Sequence, residues 1–317
     1  MEQSWRDWEL DGKLLRFQRE TGLNQLLSGP ETARMRQRAP RFLHVALTNE
    51  CNKRCGYCYR PGEARSLWTA DGLLELARWA AGWGVLELTF GGGEPLLFPR
   101  FDELLRRIWD ETPLCPSFTT NGLLLSPGFL RAINGRYGQI QLSVHEDEAP
   151  EERIRLLAAE RARFGLNVLV TRARLRTLET DVHRWLGLGA RDVLLLSYKG
   201  DDPALHLDPR RCRQLVASVA RLRRRFGHAL QFKVDVCWRD RLAGLPQLLD
   251  EPDCGAGDSF LSITSDRRVQ PCSFHHQSTP FDSLDEIPTI YRRLRDRRPR
   301  AAKNGCGREN HPAEEQQ

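Results

Sequence analysis

The sequence contains no run of 18 or more apolar residues, so it offers no candidate transmembrane helix. Its start, Met1-Glu2-Gln3-Ser4-Trp5-Arg6-Asp7-Trp8, lacks the apolar core of a secretory signal. A cytoplasmic location follows by default, with no membrane partner. No basic stretch carries interleaved aromatics, so no nucleic-acid partner is expected. No histidine lies close to the one dense group of cysteines, and that group has three members rather than two pairs. Both facts argue against a structural zinc site. The total of nine cysteines is odd, which argues against complete disulfide pairing. In a chain of this kind clustered cysteines read as metal ligands.

The 317 residues, 40% of them apolar, suffice for one large domain and a small one. The net charge of +6 gathers at Arg221–Arg225 and in residues 292–300. Such runs usually form solvated helix faces. The sharper reading is a surface for an acidic partner, such as an acidic leader peptide. Residues 1–40 are polar, with turn signals at Asp11-Gly12 and Thr21-Gly22. They predict a small hairpin that packs on the core or covers its mouth. From residue 41 strand-like and helical patterns alternate. Strands are expected at 42–47, 85–90, 116–120, 139–144, 167–172 and 192–197. Helices are expected at 69–82, 101–110, 127–134, 150–164, 177–187 and 209–226. Leu73, Leu74, Leu76, Ala77 and Ala80 give the first helix its apolar stripe. This alternation predicts a parallel sheet with right-handed crossovers.

Cys51, Cys55 and Cys58 follow the first strand at spacing x3 and x2. Three thiolates on one loop hold three corners of a cubane cluster and leave one iron open. The stretch Cys51-x3-Cys55-x-Tyr57-Cys58 resembles the cluster loop of radical S-adenosylmethionine (SAM) enzymes, including the aromatic residue before the last cysteine. Gly91-Gly92-Gly93-Glu94-Pro95, after the second strand, resembles the segment with which that family binds the SAM amino group. The resemblance implies a partial (β/α)6 TIM-like barrel over 41–236, within the α/β class. It also implies a 4Fe–4S cluster on Cys51, Cys55 and Cys58, with SAM held by Tyr57, Gly92, Gly93 and Glu94. Ser143, at the end of the fourth strand, and Arg155, on the next helix, match further SAM contacts, with Arg153 a rival. Thr119-Thr120-Asn121-Gly122 resembles the Thr-Asn-Gly found after the third strand, and a plain polar turn explains it equally well. His145-Glu146 stands where the family has Asp-Gly. Tyr198 and Lys199 end the sixth strand, facing the expected substrate cavity.

The last third, 237–317, reads as a small α+β domain. Cys254-Gly255-Ala256-Gly257, Leu261–Thr264 and Val269-Gln270-Pro271-Cys272 form a hairpin flanked by cysteines. It resembles the SPASM and Twitch auxiliary-cluster domains, in their shortened form. One auxiliary 4Fe–4S cluster on Cys237, Cys254, Cys272 and Cys306 is implied. Arg267 and Arg268 occupy the turn where the family has glycine. Cys115 and Cys212 read as buried, inert thiols, and His275 and His276 as structural.

The resemblance implies an enzyme that cleaves SAM reductively and abstracts a substrate hydrogen, with flavodoxin or ferredoxin as electron donor. Oxidative modification or crosslinking of a ribosomally made peptide is the first expectation. Oxidation or rearrangement of a small polar molecule is the second, and a non-catalytic iron–sulfur or zinc scaffold the third.

Overall fold

The computed structural model describes residues 5–60, 65–146, 149–200, 202–242, 254–275 and 277–297. Three antiparallel strands come first: β1 (Arg6–Leu10), β2 (Lys13–Gln18) and β3 (Leu23–Ser28). Gly12 and Gly22 turn between them at φ 78° and 74°, where a side chain would be strained. The expected hairpin is thus a three-stranded meander. The third strand escaped notice because Leu23–Ser28 has no β-branched residue and is exposed throughout.

Six β/α units follow. They are β4 (Phe42–Thr48) with α1 (Ala70–Trp83), β5 (Glu87–Gly92) with α2 (Phe101–Glu111), and β6 (Cys115–Thr120) with α3 (Pro127–Ala132). Next come β7 (Ile140–Val144) with α4 (Glu151–Ala159), β8 (Phe164–Leu169) with α5 (Arg172–Gly187), and β9 (Asp192–Leu196) with α6 (Pro209–Phe226). The chain then adds β10 (Gln231–Val234), the hairpin β11 (Phe260–Ile263) and β12 (Arg268–Gln270), a short β13 (Thr279–Pro280) and α7 (Ile287–Asp296).

Local chemistry sets these limits. Thr69 caps α1 by accepting from the Gly72 amide, and Gly84 ends it at φ 110°. The helix expected over 150–164 stops at Ala159 because the chain turns left-handed at Arg161, φ 52°. The strand after it therefore begins at Phe164, and the next helix at Arg172. Thr171, whose hydroxyl accepts from the Arg174 amide, is the cap that marks that earlier start.

The larger sheet has the order β10-β9-β8-β7-β6-β5-β4-β11-β12-β13, parallel from β10 to β11. β10 and β13 are its edges, so the barrel is not closed. β11 pairs with β4 from Phe260 opposite Phe42 to Ile263 opposite Val45. The C-terminal hairpin therefore continues the barrel sheet and covers an edge that β4 would otherwise expose. Apolar residues on one face of β4 to β8, such as Leu43, Leu88, Phe118, Leu142 and Leu166, pack against the helices. The other face is polar across the strands: His44 lies opposite Thr89, Thr89 opposite Ser117, Thr119 opposite Gln141, and Ser143 opposite Asn167.

The meander closes the far end. Trp8, Leu15 and Phe17 bury against Leu86 and Cys115. Arg6 donates to the carbonyls of Ala81 and Val85, and Arg19 to those of Trp109, Thr112 and Leu114. These carbonyls lie where helices lead back into strands. The meander is a floor under the amino ends, away from the cysteine loop, and does not cover the mouth. Replacing Trp8 with Ala removes a side chain 3% exposed that donates to the Ala39 carbonyl. We expect a urea-melt loss of about 3–5 kcal/mol with iron uptake of the folded fraction unchanged. Lost iron uptake at unchanged stability would place the meander at the mouth instead.

Candidate metal centre at the barrel mouth

The cysteine loop leaves the end of β4 and is pinned at its root by the glycine run after β5. The Gly93 amide donates to the Thr48 carbonyl at 2.7 Å and the Glu94 amide to the Glu50 carbonyl at 2.8 Å. A β-carbon on Gly92 would collide with the Thr48 carbonyl, and Gly92 sits at φ 115°. One on Gly93 would collide with the Glu50 carbonyl, whereas one on Gly91 would meet open space. The close approach that requires glycine here is to the loop's own backbone.

Glu94 is 1% exposed. Its carboxylate accepts from the Thr120 hydroxyl at 2.7 Å, the Asn121 amide at 2.8 Å and the Leu96 amide at 3.2 Å. Burial pushes this carboxyl above the ordinary glutamate value, against those three bonds, which favour the anion. A carboxylate has about four acceptor positions, so little is left for a ligand amino group. Glu94 acts first as a staple between β5 and β6. Asn121 carries that staple onward. Its side-chain amide donates to Asn52 at 2.8 Å and approaches the Cys51 sulfur at 3.9 Å. The Lys53 amide points at the same sulfur, 3.4 Å away. The structure thus sets the Thr-Asn-Gly segment beside the cysteine loop, where the sequence left a resemblance and a plain polar turn as equal readings.

Tyr57 and Cys55 both meet His145, at the end of β7. The Tyr57 hydroxyl is hydrogen-bonded to His145 Nδ1, and the Cys55 sulfur lies 3.7 Å from the same nitrogen. Arg174, ion-paired with Asp181 at 2.7 Å, donates to the His145 carbonyl. Ser143 is half-buried on the polar inner face beside Asn167. Arg155 is exposed on α4. Arg153 is the arginine laid against Gly122 at the mouth, where it also donates to the Ala149 carbonyl.

Lys199 is no ordinary loop lysine. It pairs with Asp235 beyond β10, and its Nζ stands 4.3 Å from the Phe274 ring centre. Burial works against its charge, but the Asp235 carboxylate beside it outweighs that and holds its pKa above the usual lysine value. Phe274 in turn packs on Tyr59, ring centres 3.9 Å apart. β4 and β9 are five strands apart, about 24 Å across a flat sheet. One phenyl ring touching residues that follow both strands shows how far the sheet curls.

Cys237, Cys254 and Cys272 are half-buried, and Cys306 and His276 lie outside the described residues. Cys115 and Cys212 are buried, as expected, and burial pushes the Cys115 thiol up. Arg267 takes φ 57°, the left-handed shape that glycine would supply, while stacking over Trp68 and Phe281. A cavity of about 530 Å³ opens between Cys58, Tyr59 and Arg60 on one side and Thr264, Arg268 and Phe274 on the other.

Among the described residues no three Cys, His, Asp or Glu side chains converge enough to hold a metal as they stand. The donor set nonetheless fits an iron–sulfur cluster. Three soft thiols share one loop, Cys51 and Cys58 are exposed, and N–H groups point at sulfur. Metal binding couples to closure of such loops.

Residues 45–168 match the model of the radical SAM superfamily. The chain is 31% identical over 289 residues to the PqqA peptide cyclase of Ruegeria pomeroyi, covering 82% of this chain and 75% of that protein. It is 43% identical over 86 residues to a probable GTP 3',8-cyclase of Methanocella arvoryzae, covering 26% of this chain and only 27% of that one. The fold is similar to Streptococcus suis SuiB bound to S-adenosylmethionine, with a TM-score of 0.75 and 15% identity, over 96% of this chain and 91% of that one.

The glycine run gives a sharp contrast. We expect Gly93→Ala to lose the loop's share of its reconstituted iron, about half of the total, because the loop root must move, while Gly91→Ala loads as wild type does. Equal iron content in the two variants would remove the backbone lock as the reason for glycine.

Proposed function

The chain belongs to the radical SAM superfamily, and from that premise we propose that it oxidatively modifies or crosslinks a ribosomally made peptide. The carrying observation is the likeness to a peptide cyclase along 82% of the chain. A structure of SuiB with its precursor peptide SuiA also shares the fold, at TM-score 0.69 and 17% identity, over 80% of this chain and 65% of that one. The probable GTP 3',8-cyclases favour a small-molecule substrate less, since the chain matches 27% to 30% of the first of them.

In this reading Cys51, Cys55 and Cys58 hold a 4Fe–4S cluster with SAM beside it. When bound, the pair supplies a one-electron reductive cleavage of SAM and a 5′-deoxyadenosyl radical that abstracts a substrate hydrogen. The protein's own part is to place and shield. Tyr57 is oriented by His145, and the polar inner face with Ser143 offers neutral hydrogen-bonding groups to a polar ligand. Arg153 at Gly122 supplies a cation for a carboxylate, in the role expected of Arg155. Phe274, wedged between Tyr59 and Lys199, helps keep water from the open side. Lys199 Nζ holds its proton through Asp235 and sets its charge behind Phe274, which lines the cavity.

Cys237, Cys254, Cys272 and Cys306 would hold an auxiliary 4Fe–4S cluster, a local acceptor for the electron that an oxidised substrate radical gives up. Flavodoxin or ferredoxin would supply the reducing electron.

Reduced, reconstituted protein should release 5′-deoxyadenosine from SAM, and Cys58→Ala should abolish that release. Iron analysis separates the two clusters: about eight iron per chain, falling to about four in the Cys51/Cys55/Cys58→Ala variant. Cleavage surviving in Cys58→Ala would sink the ligand assignment. About four iron in wild type and almost none in the variant would remove the auxiliary cluster.

A further inference from the structure

A groove of about 500 Å³ runs between α5 and α6, and arginines line it: Arg172, Arg176, Arg210, Arg211 and Arg221. Its one acidic lining residue is Glu179. We propose that this groove binds an extended acidic peptide segment, the part of a peptide substrate that is held but not modified. The nature of the occupant rests on the peptide reading above; the groove's preference for acidic chain does not.

Three of the five arginines are fixed in place. Arg221 forks onto Glu179, Arg211 pairs with Asp208, and Arg172 donates to the Pro203 and His206 carbonyls. Arg176 and Arg210 have no ion-pair partner among the described residues. The position of Arg210, in the first turn of α6, is also unfavourable for the fold. A cation near a helix N-terminus opposes the helix dipole by about 0.3–1 kcal/mol. The first turns of α1, α2 and α4 carry Asp or Glu, as the dipole favours. Those of α5 and α6 carry none, as in α3 and α7, and α6 opens with Arg210 and Arg211 after its cap Asp208, whose carboxylate Arg211 already engages. By contrast, Arg223, Arg224 and Arg225 sit in the last turn of α6, where the dipole welcomes them and no ligand is needed.

Location and length choose the occupant. α5 starts directly after β8, and α6 starts after the loop that follows β9, so both helix starts lie at the end carrying the cysteine loop. Arg172 holds Pro203 and His206 of that same loop, which begins near Lys199. From Arg210 to Arg221 is about 16 Å along the helix, the reach of about five extended residues. A cleft of that size takes the side chains of a short strand of peptide, not the face of a folded protein. A chain lying in it would have one end at the barrel mouth.

The test uses a fluorescein-labelled peptide of alternating glutamate and serine, with anisotropy read at low and high salt. The reconstituted chain and its Cys51/Cys55/Cys58→Ala variant should both bind it, so the result stands apart from the radical reading. Arg176→Glu/Arg210→Glu should weaken binding at least ~10-fold, while Arg224→Glu/Arg225→Glu, with the same charge change, should weaken it little. Thermal melts confirm that both variants fold. Equal loss in the two double variants, or no binding by wild type, overturns the proposal. So does a groove variant that keeps the peptide but is reduced more slowly by flavodoxin, since the groove would then dock an acidic protein.

Discussion

The mouth of this barrel depends on a contact that admits no side chain: the backbone of Gly92 and Gly93 seated on the carbonyls of Thr48 and Glu50. Side-chain packing can adjust to its neighbours, but a carbonyl occupying the place of a β-carbon cannot. The contact therefore fixes the root of the cysteine loop by residue type alone. Its tip stays adaptable, with Cys51 and Cys58 exposed. A loop that wraps a cluster needs this division, since ligands must be placed yet able to close. Glu94 extends the lock one strand further. Buried and three times hydrogen-bonded, it ties β5 to β6, and Asn121 returns the connection to Cys51. Root, staple and thiol form one chain of contacts.

Signals confined to one stretch were legible in the sequence. The alternation of strands and helices gave the parallel sheet, because each element's apolar period lies within its own residues, and the resemblance added the open barrel. The cysteine spacing and the glycine run marked two loops that the structure brings together after β4 and β5. Contacts between distant stretches were not legible. Nothing near His145 announces that Tyr57 and Cys55 will reach it, and nothing near Lys199 announces Asp235 or Phe274. The pairing of β11 with β4 joins residues more than two hundred positions apart and rests on backbone groups that carry no residue code. Arg153 and Arg155 differ by two positions on a helix, a turn of about 200°. Only the fold decides which of them meets Gly122. Arg267 stands in a left-handed turn where glycine was expected, and contacts with Trp68 and Phe281 offset its strain.

The two ends of the barrel are stabilised in different ways. At the floor, arginines bond to carbonyls and tryptophans bury, as with Arg6, Arg19 and Trp8. At the mouth, single side chains bridge loops: Tyr57 to His145, Asn121 to Cys51, Phe274 between Tyr59 and Lys199. The first arrangement is redundant and suits a scaffold. The second has few contacts per loop, so its members shift with less cost, as a site that admits ligands must.

Between floor and mouth the inner face of the sheet is polar but carries little charge. Thr89, Ser117, Thr119, Gln141, Ser143 and Asn167 are neutral by nature. Burial, with Arg60 nearby, pulls His44 down to about 4, which keeps that imidazole neutral as well. Charge is held in pairs: Arg41 with Glu87 near the floor, Asp192 with Lys233 on β9 and β10, and Lys199 with Asp235 beyond the strands. A core built for stability alone would fill this face with apolar residues. Neutral dipoles cost less to bury than charges and still offer hydrogen bonds, so this face suits a polar ligand entering from the mouth. Stability comes from the other face, where the same strands press their leucines and phenylalanines against the helices. Alternation along each strand thus assigns one face to holding the fold and leaves the other rich in neutral hydrogen-bonding groups.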